Sequence, residues 1–335
     1  MTTLVTGAAG FVGQALVRRL LAEGEPVRAM CLPGELRIGE LRALGAGSAL
    51  EIAEVDVRDG ERVAPLVAGV RRVFHTAAVV HAWAPREVYR DVNVGGTQNM
   101  ARAAHATGVE RFVMVSTSDV FGIPRGDELL DESSPLRRWG EPYADTKIEA
   151  EEWLRSFHRD RGLPLTIIYP GWVYGPGDRA LFAGLAAAIA DGVMFFWCRD
   201  VVLSWAYVEN LIDACLLAST KREALGQGYL VHDGASAPTL EQLAARLAAI
   251  VGAKPPTLHL PYGVAYAAAA VCQLVWRLAR LRGAPPLNTA DVKAFGRQFR
   301  LSTAKARREL GWLPRVSIEE GMERALTEFA ATRKS

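Results

Sequence analysis

Apolar positions along this chain follow two alternating rhythms, and the switches between them lay out the fold. Leu4-Val5 is a short apolar run that breaks at Thr6-Gly7. From Gly10 to Glu23 the apolar residues recur at helical spacing (Phe11, Ala15, Leu16, Leu20), and Gly24 ends that helix. Val27 to Leu32 reads as a second strand, Leu50 to Val57 as a third and Val73 to Ala78 as a fourth. A long helix is expected from about Glu87 to Thr107, and a fifth strand from Phe112 to Ser116. A helix over roughly Pro142 to Arg159 and a sixth strand from Leu165 to Tyr169 follow. Strands alternating with helices predict an α/β, Rossmann-like doubly wound parallel sheet, with ligand at the carboxyl ends of the strands.

Beyond Pro170 the rhythm loosens into glycine, proline and aromatic residues. Helices then dominate, at Asn210–Ser219, Leu240–Val251, Gly263–Leu281, Thr303–Leu310 and Ile318–Ala330. The expected division is a dinucleotide-binding domain over 1–170, to which 199–235 return, and a smaller, mainly helical substrate domain made of 171–198 and 236–335. The helix from Gly263 puts Gln273, Arg277 and Arg280 on one side and Val264, Ala268, Val271, Val275 and Leu278 on the other. An ordinary buried helix fits this pattern. So does a lid, or a peripheral membrane contact through 263–281, and both readings stay open. The apolar run Val264–Cys272, even extended by Leu274, Val275 and Trp276, falls short of the roughly 20 residues a membrane span needs.

At 335 residues the chain has room for roughly two domains of about 150 residues. Half the residues are hydrophobic and 23% are charged, as in a folded globular protein. A net charge of +2 argues against a nucleic-acid partner, which would need a strongly basic face. Met1-Thr2-Thr3 carries no signal-peptide pattern before the first strand, so a cytoplasmic location is expected. Cys31, Cys198, Cys215 and Cys272 are scattered and read as small hydrophobes in a reducing compartment. His75, His81 and His105 have no ligand-like spacing, and no metal is expected.

Two local patterns carry chemistry. Thr6-Gly7-Ala8-Ala9-Gly10-Phe11-Val12-Gly13 runs from a strand through three glycines into a helix. The first glycine allows the tight turn, the second lets backbone approach a pyrophosphate, and the third lets helix and strand pack closely. The helix N-terminus then offers free N–H groups and a positive dipole to phosphates. Far downstream, Tyr143 and Lys147 stand four apart on a helix and share a face. A phenol of pKa near 10 is a poor base, and a nearby ammonium favours the phenolate at about 1.4 kcal/mol per pKa unit. Thr117, flanked by Ser116 and Ser118 just past a strand end, can bond a substrate oxygen.

These pieces, with others in the same order, resemble the extended short-chain dehydrogenase/reductases over nearly the whole length. The matching segments are Thr6–Gly13, Asp56-Val57-Arg58-Asp59 on the adenine side, Phe74–Ala78, Asn93–Thr97 with Asn99, and Val115–Gly122. Tyr143/Lys147, Pro170–Asp178, Val208-Glu209-Asn210 and Lys305–Trp312 with Pro314 complete the set. The resemblance implies Tyr143 as general acid/base, Lys147 as its pKa-lowering partner and holder of the nicotinamide ribose, and Thr117 as substrate-oxygen donor. It also implies a dinucleotide bound by Gly7, Ala9, Gly10, Phe11, Val12, Asp56, Val57, Ala77, Ala78, Asn93, Tyr143, Lys147 and Pro170. NAD and NADP stay open, because Cys31 and Leu32 occupy the place where an acid would take the adenosine ribose, and Arg37 could either swing in or be a solvated helix residue.

Nucleotide-sugar epimerases and dehydratases of this superfamily carry an asparagine where Trp172 stands and a diphosphate-gripping arginine near Leu203-Ser204-Trp205. An apolar residue cannot replace such a charged clamp, although Arg199 lies nearby. Trp172, Tyr174, Phe195, Phe196, Trp197, Trp205 and Tyr207 fill this half with rings, about half of them expected to be packing alone. The substrate half therefore resembles the 3β-hydroxysteroid dehydrogenase-like branch, with its 3-oxoalkanoate reductase relatives. That resemblance implies a small hydrophobic substrate, with His81, Trp83, Ser118, Trp172 and Trp205 as candidate contacts, and a homodimer is compatible with it. A nucleotide-sugar epimerase or dehydratase is the alternative. A non-enzymatic cofactor sensor is disfavoured by the intact Tyr143/Lys147 pair.

Overall fold

The computed structural model describes residues 2–80, 83–124, 126, 128–234, 237–281 and 283–333. The first half runs β1 (Thr2–Thr6), α1 (Phe11–Ala22), β2 (Val27–Cys31), α2 (Ile38–Arg42), β3 (Leu50–Glu54), α3 (Gly60–Leu66) and β4 (Val70–His75). Then come α4 (Arg86–Arg90), α5 (Thr97–Thr107), β5 (Arg111–Val115), β6 (Leu129–Leu130), α6 (Pro142–Arg161) and β7 (Leu165–Pro170). The second half has β8 (Trp172–Tyr174), α7 (Leu181–Ala190), β9 (Trp205–Tyr207), α8 (Val208–Thr220) and β10 (Gly228–Val231). It ends with α9 (Leu240–Val251), α10 (Tyr262–Leu278), α11 (Thr289–Ala294), β11 (Arg300–Leu301) and α12 (Ile318–Thr332).

Seven strands form one parallel sheet in the order β10-β7-β5-β4-β1-β2-β3. The order reverses between β1 and β4, and such a switch point is where open α/β sheets bind ligands. Strand residues alternate between two cores. Val5, Phe74, Val113 and Ile168 pack with Leu16, Leu20, Leu211 and Cys215 of α1 and α8. Leu4, Val73, Phe112 and Ile167 face Met100, Ala104, Ile148 and Leu154 of α5 and α6. With both faces covered, the strands can be apolar throughout, as expected of a buried parallel sheet.

A third core joins α7, α9 and α12 to β8 and β9. Its attachment to the sheet is specific: Asn210 on α8 donates to Val316 O at 2.9 Å and accepts from Arg315 N at 2.9 Å. Trp312 Nε1 returns the contact at Asn210 O, 2.9 Å. Ala306, Leu310 and Trp312 belong to the sheet's own core, so this part of the chain packs with the dinucleotide half.

Several expected boundaries shift. β4 runs three residues earlier than its apolar pattern suggested and stops at His75, leaving Thr76 to Ala78 as a loop. β3 ends at Glu54, where Asp56 turns back to accept from Arg58 N at 2.9 Å. The long helix after Pro85 is interrupted by a π-helical stretch at Asp91–Gly96, and 306–310 is also π-helical. β10, only four residues long, and α7 were not legible as elements.

Candidate active site

The sharp turn after β1 explains the three glycines. Gly7 has φ +61°, and a Cβ there would lie 2.8 Å from Ala77 Cα, against the loop that follows β4. A Cβ at Gly13 would sit 2.1 Å from Gly7 O, so helix and turn touch backbone to backbone. At Gly10 a Cβ would crowd Gly7 O at 3.1 Å but meet no other atom outside its own helix and chain neighbours within 4 Å. Gly10 is also the N-cap of α1 and gives no side-chain cap, so the first-turn N–H groups, including those of Phe11 and Val12, stay available to an anion.

Behind this turn lies a buried hydrogen-bond chain that the sequence did not reveal. Ala77 N donates to Thr6 Oγ1 at 3.2 Å, and Thr6 Oγ1 is 2.9 Å from His75 Nδ1. His75 Nε2 is 2.9 Å from Thr97 Oγ1, which spends its own proton on Asn93 O at 2.6 Å. Thr97 can therefore only accept from His75 Nε2–H, and Thr6 must donate to Nδ1, so the imidazole is neutral with its proton on Nε2. Burial, with a smaller contribution from the Lys147 charge, holds its pKa down at about 3.

The π-helical stretch turns Asn93 toward two partners at once. Its Oδ1 accepts from Val79 N at 2.8 Å, and its Nδ2 donates to Val79 O at 3.2 Å and to Thr146 Oγ1 at 3.0 Å. Thr146 Oγ1 in turn lies 2.7 Å from Pro142 O and 3.0 Å from Tyr143 O. Asn93 thus fixes the Ala77-Ala78-Val79 loop to the helix that carries Tyr143, which makes it a positioning residue. The rest of the motif is equally structural. A Cβ on Gly96 would meet Val57 Cγ2 at 2.5 Å, and Asn99 Nδ2 donates to Val57 O and Arg58 O, each at 3.0 Å.

Glu141 caps α6 by accepting from Ala144 N at 2.6 Å, and Pro142 pre-sets the first helical turn. Tyr143 and Lys147 follow on the same buried face. Thr117, the N-cap of a short turn at Ser118–Phe121, lies beside the Tyr143 phenol, and its hydroxyl also accepts from Asp119 N at 3.2 Å. Lys147 Nζ donates to Val115 O at 2.7 Å, at the end of β5. Burial pushes its ammonium down to about 8, against the favourable charge of Glu151. The phenol does not follow the expected downward shift. Burial first, then the charges of Asp119 and Glu141, push it well above its ordinary value, and only Thr117 opposes them.

The residues fit a nicotinamide dinucleotide. Apart from Gly7 O the space beside Gly10 is free, Lys147 has donors beyond the one bonded to Val115, and Ser116 Oγ is buried with no hydrogen-bond partner. Pro170 ends β7, and Asp56 is paired with Arg58 at 2.6 Å beside the buried Val57. Arg37 is neither free nor solvated: its Nη2 donates to Gln14 Oε1 at 3.0 Å and pairs with Glu40 at 3.3 Å.

On the substrate side the candidates separate. Trp172 is partly buried at the rim of the third core, its ring 4.8 Å from Phe295. Trp83 is partly exposed under the Arg277 guanidinium, 5.7 Å away, and Ser118 is buried beside Thr117. His81 lies outside the described residues. Trp205 is corrected to a core residue: it is 1% exposed, with Tyr174 edge-on at 5.5 Å and Phe182 at 6.4 Å. Tyr174, Tyr207 and Phe196 are buried with it, which accounts for about half of the ring cluster. Among the described residues there is no group of acidic, cysteine and histidine side chains able to hold a metal ion.

A phosphate cradle at the switch point and a buried Thr-Tyr-Lys set define a nicotinamide-dependent oxidoreductase of the extended short-chain type. The chain belongs to the NAD dependent epimerase/dehydratase family, whose model matches residues 3–231. It is 33% identical to a 2-alkyl-3-oxoalkanoate reductase of Stenotrophomonas maltophilia, covering 99% of this chain and 100% of that protein. It is 30% identical to a 3-beta-hydroxysteroid dehydrogenase of Mycolicibacterium neoaurum, covering 97% of this chain and 90% of the relative. Among solved structures it is similar to the dTDP-glucose 4,6-dehydratase DesIV of Streptomyces venezuelae with NAD and TYD bound. That match has a TM-score of 0.79 and 26% identity, over 100% of this chain and 98% of that one.

Proposed function

We propose that this enzyme interconverts a secondary alcohol and a ketone on a hydrophobic skeleton, either a 3β-hydroxysteroid or sterol-like compound or a long-chain 3-oxo compound. One observation carries the choice of substrate class. Leu203 is buried in the third core and Trp172 stacks toward Phe295, at the places where nucleotide-sugar enzymes of the superfamily carry their polar grips. The relatives named as a 3-oxoalkanoate reductase and a hydroxysteroid dehydrogenase support the same reading.

In this reading Thr117 and Tyr143 hold the reacting oxygen between their hydroxyls. When bound, the nicotinamide supplies the two-electron redox partner of the carbon that bears that oxygen. Tyr143 gives its proton to the oxygen during reduction and takes one back during oxidation. The raised phenol pKa keeps the proton on Tyr143 at neutral pH, which suits donation to a ketone. Lys147, bonded at Val115, keeps donors for the ribose hydroxyls, and Asn93 keeps Tyr143 in register with the cradle. A hydrophobic substrate approaches between Trp83 and Trp172, beside α10.

The test is a spectrophotometric screen following the reduced nicotinamide with 3β-hydroxysteroids, 3-oxoalkanoates and UDP- or dTDP-sugars. Product analysis is needed because epimerisation leaves no net change in cofactor. Turnover of hydroxysteroids or oxoalkanoates is expected. Turnover of a nucleotide sugar with none on the lipids would replace this reading by a nucleotide-sugar epimerase or dehydratase.

A further inference from the structure

The helix α10 faces the wrong way for a core helix. Ala265 and Ala269 are its buried residues, packed on Phe195, Trp197 and Val292. Val264, Val271, Leu274, Val275 and Leu278 all point outward, with Val271 60% and Leu278 75% exposed. A surface helix ordinarily turns its polar stripe to water. Here the outward stripe is aliphatic along most of the helix and forms a contiguous apolar patch of the kind that marks an interaction surface.

The charge around this patch selects the partner. From Tyr262 to Gly283 the chain has no acidic residue, but it has Arg277, Arg280 and Arg282. Arg277 and Arg280 follow the aliphatic stripe at its C-terminal end, and both are exposed. Tyr262 and Tyr266 stand at the other end with their rings 6.3 Å apart, partly exposed. An aliphatic stripe with aromatic and basic flanks, on a helix that itself carries no acid, is the composition of a helix that lies in a lipid interface. Among the described residues no helix is long and apolar enough to cross a membrane.

We propose that the outward face of α10 docks on an anionic lipid bilayer, with the helix lying in the plane of the surface and its aliphatic stripe in the headgroup–acyl boundary. The stripe supplies the apolar burial, and the basic residues supply attraction to acidic headgroups. The Arg277 guanidinium over Trp83 ties this helix to the loop after β4, so docking sets the substrate mouth against the lipid. The purpose of the contact rests on the hydrophobic substrate proposed above; the contact itself does not.

The experiment is sedimentation of the full chain with sucrose-loaded vesicles, of phosphatidylcholine alone or with a minority of phosphatidylglycerol. The wild type is expected to pellet with the mixed vesicles at low salt, to bind pure phosphatidylcholine about tenfold less, and to weaken as salt rises. Val271→Glu/Leu274→Glu should lose binding at least about tenfold while keeping its melting temperature, cofactor affinity and turnover of a small water-soluble ketone. Arg280→Glu/Arg282→Glu leaves the stripe intact and should lose only the preference for phosphatidylglycerol. Three results each overturn the proposal. One is wild type that stays in the supernatant with mixed vesicles. Another is a folded glutamate variant that still pellets. The third is a concentration-dependent dimer in analytical ultracentrifugation that Val271→Glu/Leu274→Glu dissolves, which gives the face to a second copy. Because turnover of the soluble ketone is measured without vesicles, failure of the docking and failure of the proposed reaction are read separately.

Discussion

The Tyr143 phenol on α6 stands beside the Thr117 hydroxyl just past the end of β5, and Thr117 alone opposes the forces that raise the phenol's pKa. Burial and the Asp119 and Glu141 charges keep the proton on Tyr143. Tyr143→Phe removes the transferable proton and nothing else of size, so turnover should fall by about a hundredfold or more while cofactor affinity barely changes. Thr117→Val should cost turnover as well and shift the pH dependence of oxidation upward, because the phenolate loses its donor. Wild-type kcat in Tyr143→Phe would remove the residue from the reaction.

Lys147 gives a pH signature in stability. Its pKa is 10.5 in an unfolded chain and about 8 in the buried site, so above pH 8 the unfolded chain binds more protons than the folded one. The cost of burying the charge is full below pH 8 and disappears as pH rises to about 10.5, a change of about 3 kcal/mol. Lys147→Met lacks this titration. Its stability relative to wild type should therefore be most favourable near neutral pH and decline by that amount between pH 8 and 10.5, in urea unfolding at several pH values. The same variant should lose both turnover and cofactor affinity. A stability difference that stays flat across that window would show that the ammonium is not held as described.

His75 carries the opposite window. Its folded pKa of about 3 lies below the 6.5 of a free imidazole, so the unfolded chain binds the extra proton between those values. Stability from this group is complete above pH 6.5 and falls as pH drops toward 3, by at most about 1.4 kcal/mol per pH unit. His75→Phe keeps the ring but leaves the Thr6 hydroxyl without its acceptor, at a cost of about 1–3 kcal/mol. Because Thr6 and Thr97 connect the cradle to Asn93, the variant should also raise the cofactor Kd at pH 7. Removal of the acid-side slope with unchanged cofactor affinity would limit His75 to stability alone.

How much of this was readable in the sequence depends on distance along the chain. The glycine turn and the Tyr143/Lys147 pair are local patterns, and the structure places them as their spacing required. The chain from Thr6 through His75, Thr97 and Asn93 to Thr146 was not readable, because its members meet only when β1, β4, the π-helical stretch and α6 come together. Asn93 was expected at the cofactor, yet its amide is taken by Val79 and Thr146. Trp205 was expected at the substrate, because a ring's position in sequence does not say whether it faces the core or the mouth. For α10 the polar and apolar sides were correctly sorted, but only the packing of Ala265 and Ala269 shows which side faces out. β10 escaped notice because four residues are too few for any period to show.

Gly10→Val tests the cradle. A Cβ at Gly10 meets no protein atom closer than Gly7 O at 3.1 Å, whereas one at Gly13 would overlap that same oxygen at 2.1 Å. Gly10→Val should therefore fold with a lowered melting temperature, since Gly7 O must give by a few tenths of an ångström, and lose cofactor affinity by about tenfold or more, since its side chain occupies the phosphate side. Gly13→Val should fail to fold. Titration calorimetry on the first variant decides the matter, and undiminished affinity would place the pyrophosphate elsewhere.

The choice between NAD and NADP rests on Arg37. At the end of β2 the thiol of Cys31 is pushed up to about 12 by burial and then by the Glu35 charge, and Leu32 is exposed, so the strand end itself carries no acid for the adenosine ribose hydroxyls and the nearest one is Glu35, in the following turn. The cation beside this turn is Arg37, and its guanidinium is divided between Gln14 and Glu40. A 2′-phosphate would have to draw Arg37 away from Glu40, and NAD gains nothing from it, so neither cofactor is strongly favoured. The expected discrimination is under about 3 kcal/mol, roughly a hundredfold in affinity. Glu40→Gln frees the guanidinium for a bidentate phosphate contact and should shift the preference toward NADP by about tenfold, leaving NAD binding unchanged. Fluorescence titration with each reduced cofactor measures both. A wild-type ratio far above a hundredfold, or a Glu40→Gln variant with an unmoved ratio, would show that the adenosine end is read by other residues.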